Sequence, residues 1–147
     1  MDGYCISPET SVSECLQVMH ELDIGSVVVA QQQRIKGLVS ERVITRQVCS
    51  KLNELDITNT PVSEVMDVNI ILVSPHTSIE EAMNIFTYKR TRYLLVVNDN
   101  NALLGVVSIG DVTKWLLEEM KWSIGDLSSY NIALNSEGRE EILQTSK

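Results

Sequence analysis

The run Ser7-Pro8-Glu9-Thr10-Ser11-Val12-Ser13-Glu14 recurs as Ser74-Pro75-His76-Thr77-Ser78-Ile79-Glu80-Glu81, with Ser, Pro, Thr, Ser and Glu kept in place. Further on, Gly37-Leu38-Val39-Ser40 recurs as Gly105-Val106-Val107-Ser108, Thr45 as Thr113, and Lys114 stands where Arg46 does. Between these markers SVVVA (26–30) answers to YLLVV (93–97), and the turn that follows is one residue longer in the second copy. A strand-helix-strand-strand-helix unit of this size cannot cover its own sheet, whereas two copies packed face to face can. The tight polar turn between neighbouring strands makes that pair antiparallel. The repeat therefore predicts a mixed α/β (α+β) fold of two β-α-β-β-α repeats with pseudo-two-fold symmetry and a C-terminal helical tail. The expected divisions are 1–59, 60–121 and 122–147.

Local signals fill in this frame. Ser11 and Glu14 stand at capping-box spacing ahead of Val12, Cys15, Leu16, Met19 and Leu22, which follow helical periodicity until Gly25 stops the helix. Residues 26–30 and 35–39 read as strands joined by Gln31-Gln32-Gln33-Arg34, and Ser40 caps a helix over 41–52. Thr60-Pro61 opens a short helical turn through Val65-Met66, with proline at the first helical position. In the second copy, 69–73 is a strand, a helix carries Ile79, Ala82, Met83 and Phe86, and Asn98-Asp99-Asn100-Asn101 is the turn. The apolar run 102–107 then feeds directly into a helix with Val112, Trp115 and Leu116 on one face. Ser108 can cap that helix, and Asp111 falls in its first turn, where the helix dipole favours negative charge. Beyond it Trp122, Ile124, Leu127, Tyr130 and Leu134 recur near helical spacing, with Ser123 as a cap; 135–147 is polar and reads as frayed.

Composition excludes several classes of function. A net charge of -8 argues against nucleic acid, which asks for a basic surface. No apolar run approaches the ~20 residues of a membrane helix, and the N-terminus lacks a basic-then-apolar leader, so a cytoplasmic protein is expected. Cys5, Cys15 and Cys49 are too few and too scattered for a disulfide framework or a zinc site, and they read as reduced thiols in apolar patterns. His20 and His76 have no acidic or thiol partners at ligand spacing, so no metal is expected. Neither a nucleophile–base pair nor a G-x-x-x-x-G-K-S/T loop is present to suggest an enzyme.

Thr-x-x-x-Glu-Cys/Ala opening a helix, a V/L-V-V strand, and G-[LV]-V-S-x-x-[DV] opening the next helix, found twice in order, resemble the cystathionine-β-synthase (CBS) domain. Two in tandem resemble a CBS pair, or Bateman module, covering roughly residues 4–120. Val65-Met66 before the second copy also fits the family. The resemblance implies a non-catalytic regulatory module, of the kind that serves energy sensing, whose effector is an adenosyl ligand (AMP, ADP, ATP or S-adenosylmethionine) bound between the repeats. It also implies a homodimer, an unknown client protein and no obligatory cofactor. The alternative is a structural or protein-interaction module that binds no ligand.

The family pattern G-h-x-[ST]-x-x-[DN] falls on Gly105 to Asp111, which makes Asp111 the ribose-holding acid, with Ser108, Ile109 and Gly110 beside it at the helix start. The same resemblance puts Cys5, Ile6, Ser7, Thr10, Gly25 and Ser26 around the adenine and Val106 beneath it. In the first repeat Val43 takes the place of Asp111, so the cleft belonging to Ser40 and Val43 has lost its ribose anchor. Relatives often carry phosphate-binding cations where Lys89-Arg90-Thr91-Arg92 stands, which makes Arg90 and Arg92 phosphate-binding candidates for that Val43 cleft. A solvated helix end, favoured by the dipole, accounts for the same charges.

Overall fold

A computed structural model describes residues 4–51 and 55–124. The first sheet holds β1 (Cys5–Ile6), β2 (Ser26–Gln31) and β3 (Arg34–Ser40), in that order, with α1 (Val12–Glu21) and α2 (Glu41–Ser50). The second holds β4 (Leu72–Val73), β5 (Tyr93–Val97) and β6 (Leu103–Ser108), also in chain order, with α3 (Ile79–Lys89) preceding β5 and α4 (Ile109–Ile124) following β6. In each sheet the first pairing is parallel and the second antiparallel. The register repeats as well: Ser26 faces Ser40 as Tyr93 faces Ser108, and Val28 faces Leu38 as Leu95 faces Val106. A register shift falls at Val29/Ala30 and again at Val96/Val97, leaving Lys36 and Leu104 as the extra residues ahead of Gly37 and Gly105. Residues through Ile109 form one compact unit that contains both sheets; Gly110 begins a second, which holds α4.

The strand period of two, with both faces covered, explains why three successive valines, Val27 to Val29, are all buried. Val27 and Val29, with Val39, pack in one cluster with Val12, Cys15 and Met19 of α1, Ile44 of α2, and Val62 and Val65. Val28 points the other way and meets Leu38 and Leu95, so the two sheets share a seam filled by Val28, Leu38 and Leu95. Each such side chain contributes roughly 1.5–3 kcal/mol by leaving water. Serines cap the starts of α1, α2 and α3. Ser11 Oγ accepts from Glu14 N at 3.2 Å while Glu14 Oε2 accepts from Ser11 N at 3.0 Å. Ser40 and Ser78 accept in the same way from Val43 N and Glu81 N.

Four local expectations are corrected. Gly25 does not stop α1; Asp23 does, at φ 51, with Asp23 N donating to His20 O and Ile24 N to Met19 O in a paired C-terminal cap. Pro61 is extended (φ -71, ψ 149) and caps the 3₁₀ turn Val62–Glu64 rather than occupying its first position, because it bridges to Ser11. The strand expected over 69–73 keeps only Leu72–Val73. Ser123 lies inside α4, which runs through Ile124 without a break; the remainder of the expected tail helix, including Leu127, Tyr130 and Leu134, lies outside the described residues. The two hairpins do differ by one residue. Gln32 and Gln33 both adopt positive φ in a two-residue loop, while the second loop ends on Asn101 at φ 58, with Asn98 Oδ1 accepting from Asn100 N and Ala102 N.

Cys15 is fully buried in the first cluster, and burial pushes its thiol up to about 11. A raised native pKa favours the neutral thiol. Its contribution to stability is therefore complete below the ordinary value of 9.0 and is lost as pH rises from there through about 11. At pH 8 an alkylating reagent is expected to modify the exposed Cys49 promptly and Cys15 only on unfolding. Equal rates at the two thiols, read by mass spectrometry of the peptides, would contradict this packing.

Candidate functional site

The ends of the strands carry the residues singled out from the sequence, and the structure distributes them unevenly. Cys5 and Ile6 form β1, the former exposed and the latter buried. Ile6 pairs with Val29, so the chain leaves the sheet at Ser7 beside the far end of β2, whereas Gly25 and Ser26 stand at its start. Ser7 and Thr10 belong to one turn, in which Thr10 N donates to Ser7 O at 3.1 Å. The Ser7 hydroxyl donates to the Glu9 carboxylate, which holds that carboxyl below the usual range, and Gln31 Nε2 donates to Glu9 Oε1 at 3.3 Å. Val106 packs against the seam. Ser108 ends β6 opposite Tyr93, and Ile109 N donates to Arg92 O at 3.0 Å. Gly110 and Asp111 follow in the first turn of α4.

Gly25 has a different task from the one its position suggests. Its carbonyl accepts from Glu41 N at 3.2 Å and from the Tyr93 hydroxyl at 3.2 Å, the latter a bond from the second repeat to the first. A Cβ at position 25 would lie 3.1 Å from that hydroxyl oxygen. Gly25 also borders a cavity of about 380 Å³, together with Leu16, Met19 and Ile24 and the polar groups of His20, Asp23 and Glu41.

A second cleft of about 80 Å³ lies between the repeats, at the end of β3 and the start of α2. Leu38, Ser40 and Val43 line it from the first repeat, with Arg42 and Arg46 one helical turn apart on α2. The connection from α3 to β5 supplies Arg90, Thr91, Arg92 and Tyr93, and Asp67 borders the same space. That connection is fixed locally, since Thr91 Oγ1 donates to Tyr93 O at 3.0 Å and Arg90 takes up the left-handed conformation at the end of α3. Asp67 is held by the repeat junction: Leu38 N donates to Asp67 O at 3.0 Å, Asp67 N to Leu38 O at 2.9 Å, and Asp67 Oδ1 accepts from Asn69 N at 2.9 Å. Chemically the cleft is a cluster of four guanidinium groups facing a valine and a single carboxylate, a wall suited to anions.

Arg90 and Arg92 were candidates from the sequence; Arg42, Arg46 and Asp67 were not. The i, i+4 spacing of the two α2 arginines just after Ser40 is a readable signal, but Asp67 joins the group only through the Leu38 bridge. Among the described residues, no group of His, Cys, Asp and Glu is placed to hold a metal ion, and no helix is long and apolar enough to cross a membrane.

Two sheets of this topology, duplicated in register, define the class. The CBS domain family matches residues 3–49 and 62–118, and the chain belongs to it. It is 30% identical over 107 residues to the CBS domain-containing protein YhcV of Bacillus subtilis, across 73% of this chain and 74% of that one. A CBS-domain protein from Burkholderia ambifaria shares the fold with a TM-score of 0.74 and 32% identity, covering 80% of this chain and 84% of the other. A CBS domain protein from Pyrobaculum aerophilum, solved in complex with AMP, shares it with a TM-score of 0.66 and 24% identity, over 76% of this chain and 83% of that chain.

Proposed function

We propose that the chain is a non-catalytic regulatory module that binds an adenosine-containing ligand, AMP, ADP, ATP or S-adenosylmethionine, and passes its ligand state to a partner or to its own oligomer. The observation that carries this reading is the family's ribose pattern at Gly105 to Asp111, with Asp111 in the first turn of α4. The AMP complex of the Pyrobaculum relative supports the ligand class. An ionised carboxylate offers acceptors only, which matches the two adjacent donors of a ribose diol. Hydrogen bonds to a charged group are worth about 1.5–3 kcal/mol each, so losing the pair weakens binding substantially. Transmission further requires that the ligand bind two arrangements of the protein with different affinity.

Calorimetry with AMP, ATP and S-adenosylmethionine tests this reading on the wild type and on Asp111→Ala. At least one ligand is expected to bind the wild type tenfold or more tightly than the variant. Equal affinities would remove Asp111 from the site, and absence of binding by all three would favour an interaction module without a ligand.

A further inference from the structure

We propose that the cavity bordered by Gly25 binds a small organic cation, an ammonium group carried on a compact apolar body. Its lining has the two characters such a molecule requires. Leu16, Met19 and Ile24 form an apolar wall, and His20, Asp23 and Glu41 supply an imidazole and two carboxylates. Among the described residues no lysine or arginine lines the space, and neither carboxylate has a hydrogen bond or an ion pair. A primary ammonium has three donors and no acceptor, the complement of groups that only accept. The volume of about 380 Å³ falls within the roughly 300–1,000 Å³ of pockets that enclose small organic ligands. Glu41 Oε2 lies 3.9 Å from where a Cβ on Gly25 would stand, so the missing side chain leaves the approach to that carboxylate open.

The second repeat shows that the fold does not ask for these polar groups. His20, Asp23 and Glu41 answer there to Thr87, Arg90 and Ile109, whereas the apolar Leu16 and Met19 answer to Met83 and Phe86. Asp23 and Arg90 end their helices in nearly the same backbone conformation, at φ 51 and φ 54. A helix C-terminus favours the cation and opposes the anion. Glu41 is accounted for by its place in the first turn of α2. Asp23 is not, for it sets an unpaired carboxylate at the end of α1, where the dipole disfavours it until a cation enters. Of the residues expected around the adenine, Gly25 alone borders this cavity, and nothing in its lining comes from 105–111. The nucleotide reading and this one can therefore fail separately.

The test is an amide-resolved NMR titration with phenethylamine hydrochloride. Phenethyl alcohol and hydrocinnamate serve as its neutral and anionic matches, and ammonium chloride as the charge without the body. The proteins are the wild type, the pair Asp23→Asn/Glu41→Gln, Asp23→Arg and Asp111→Ala. Asp23 and Glu41 are exposed, and an arginine already holds the answering position in the second repeat, so the variants at 23 and 41 are expected to fold. The site predicts saturable binding of the amine, with the shifts centred on the Ile24, Gly25 and Glu41 amides, and weakening with added salt. The alcohol and the carboxylate should each bind at least tenfold less tightly, and ammonium chloride should not displace the amine at equal concentration. At least a tenfold loss is expected in the pair and in Asp23→Arg, and affinity within twofold of wild type in Asp111→Ala. The proposal is overturned if the amine does not saturate the wild type, if the alcohol binds as tightly, or if the variants at 23 and 41 bind as the wild type does. Shifts centred on 105–111, or a parallel loss in Asp111→Ala, would also overturn it, because the amine would then belong to the nucleotide site.

Discussion

Leu95→Ala is expected to destabilise the protein by roughly 3–5 kcal/mol and to lower its melting temperature by about 10 °C. Leu95 is 0% exposed and sits mid-strand in β5, paired with Leu72 on one side and Val106 on the other. Its side chain crosses to Val28 and Leu38 of the first sheet. The hole left by truncation would be walled by backbone ladders and by Val28, whose branched side chain is stiff about χ1, so little of it can close. Leu104 is the matched control. It is the extra residue at the β6 irregularity and is 49% exposed, so its replacement by alanine should cost no more than about 0.5 kcal/mol. Urea denaturation followed by circular dichroism distinguishes the two variants. A cost below 1 kcal/mol for Leu95→Ala would mean that the seam between the sheets is loose, and with it the wall that brings Arg90 and Arg92 opposite α2.

The seam also shows how far the sequence could be read. The doubled motif was enough to expect two β-α-β-β-α repeats packed face to face, SVVVA (26–30) read as a buried strand, and β5 (Tyr93–Val97) matches its predicted span. Helix starts were legible because a serine side chain caps locally, within three residues, as at Ser11, Ser40 and Ser78. Helix ends were not. Asp23 rather than Gly25 took the left-handed position, and Asp tolerates that conformation well enough for propensity to mislead. Gly25 is instead placed by the Tyr93 hydroxyl, a contact between distant parts of the chain that no local window contains. The same limit applies to the candidate site. Arg90 and Arg92 stood out as a charge run, but their company with Arg42, Arg46 and Asp67 is a product of the way the repeats close on one another.

Gly37 is the residue on which that closure bears most directly, and Gly37→Ala is expected to cost about 2–3 kcal/mol despite adding one methyl group. A Cβ there would lie 2.7 Å from Asp67 O and 2.8 Å from Met66 Sδ. The thioether can swing away, but the carbonyl cannot, because Leu38 and Asp67 exchange two backbone hydrogen bonds immediately beside it. Relief must therefore come from parting the junction from β3, with each lost bond worth about 1 kcal/mol. The double variant Gly37→Ala/Met66→Ala separates the two contributions. If the backbone contact dominates, removing the thioether restores little stability, and the Leu38 and Asp67 amides lose hydrogen-exchange protection in both proteins while those of β2 keep theirs. Full recovery in the double variant would assign the clash to Met66 and leave the junction intact.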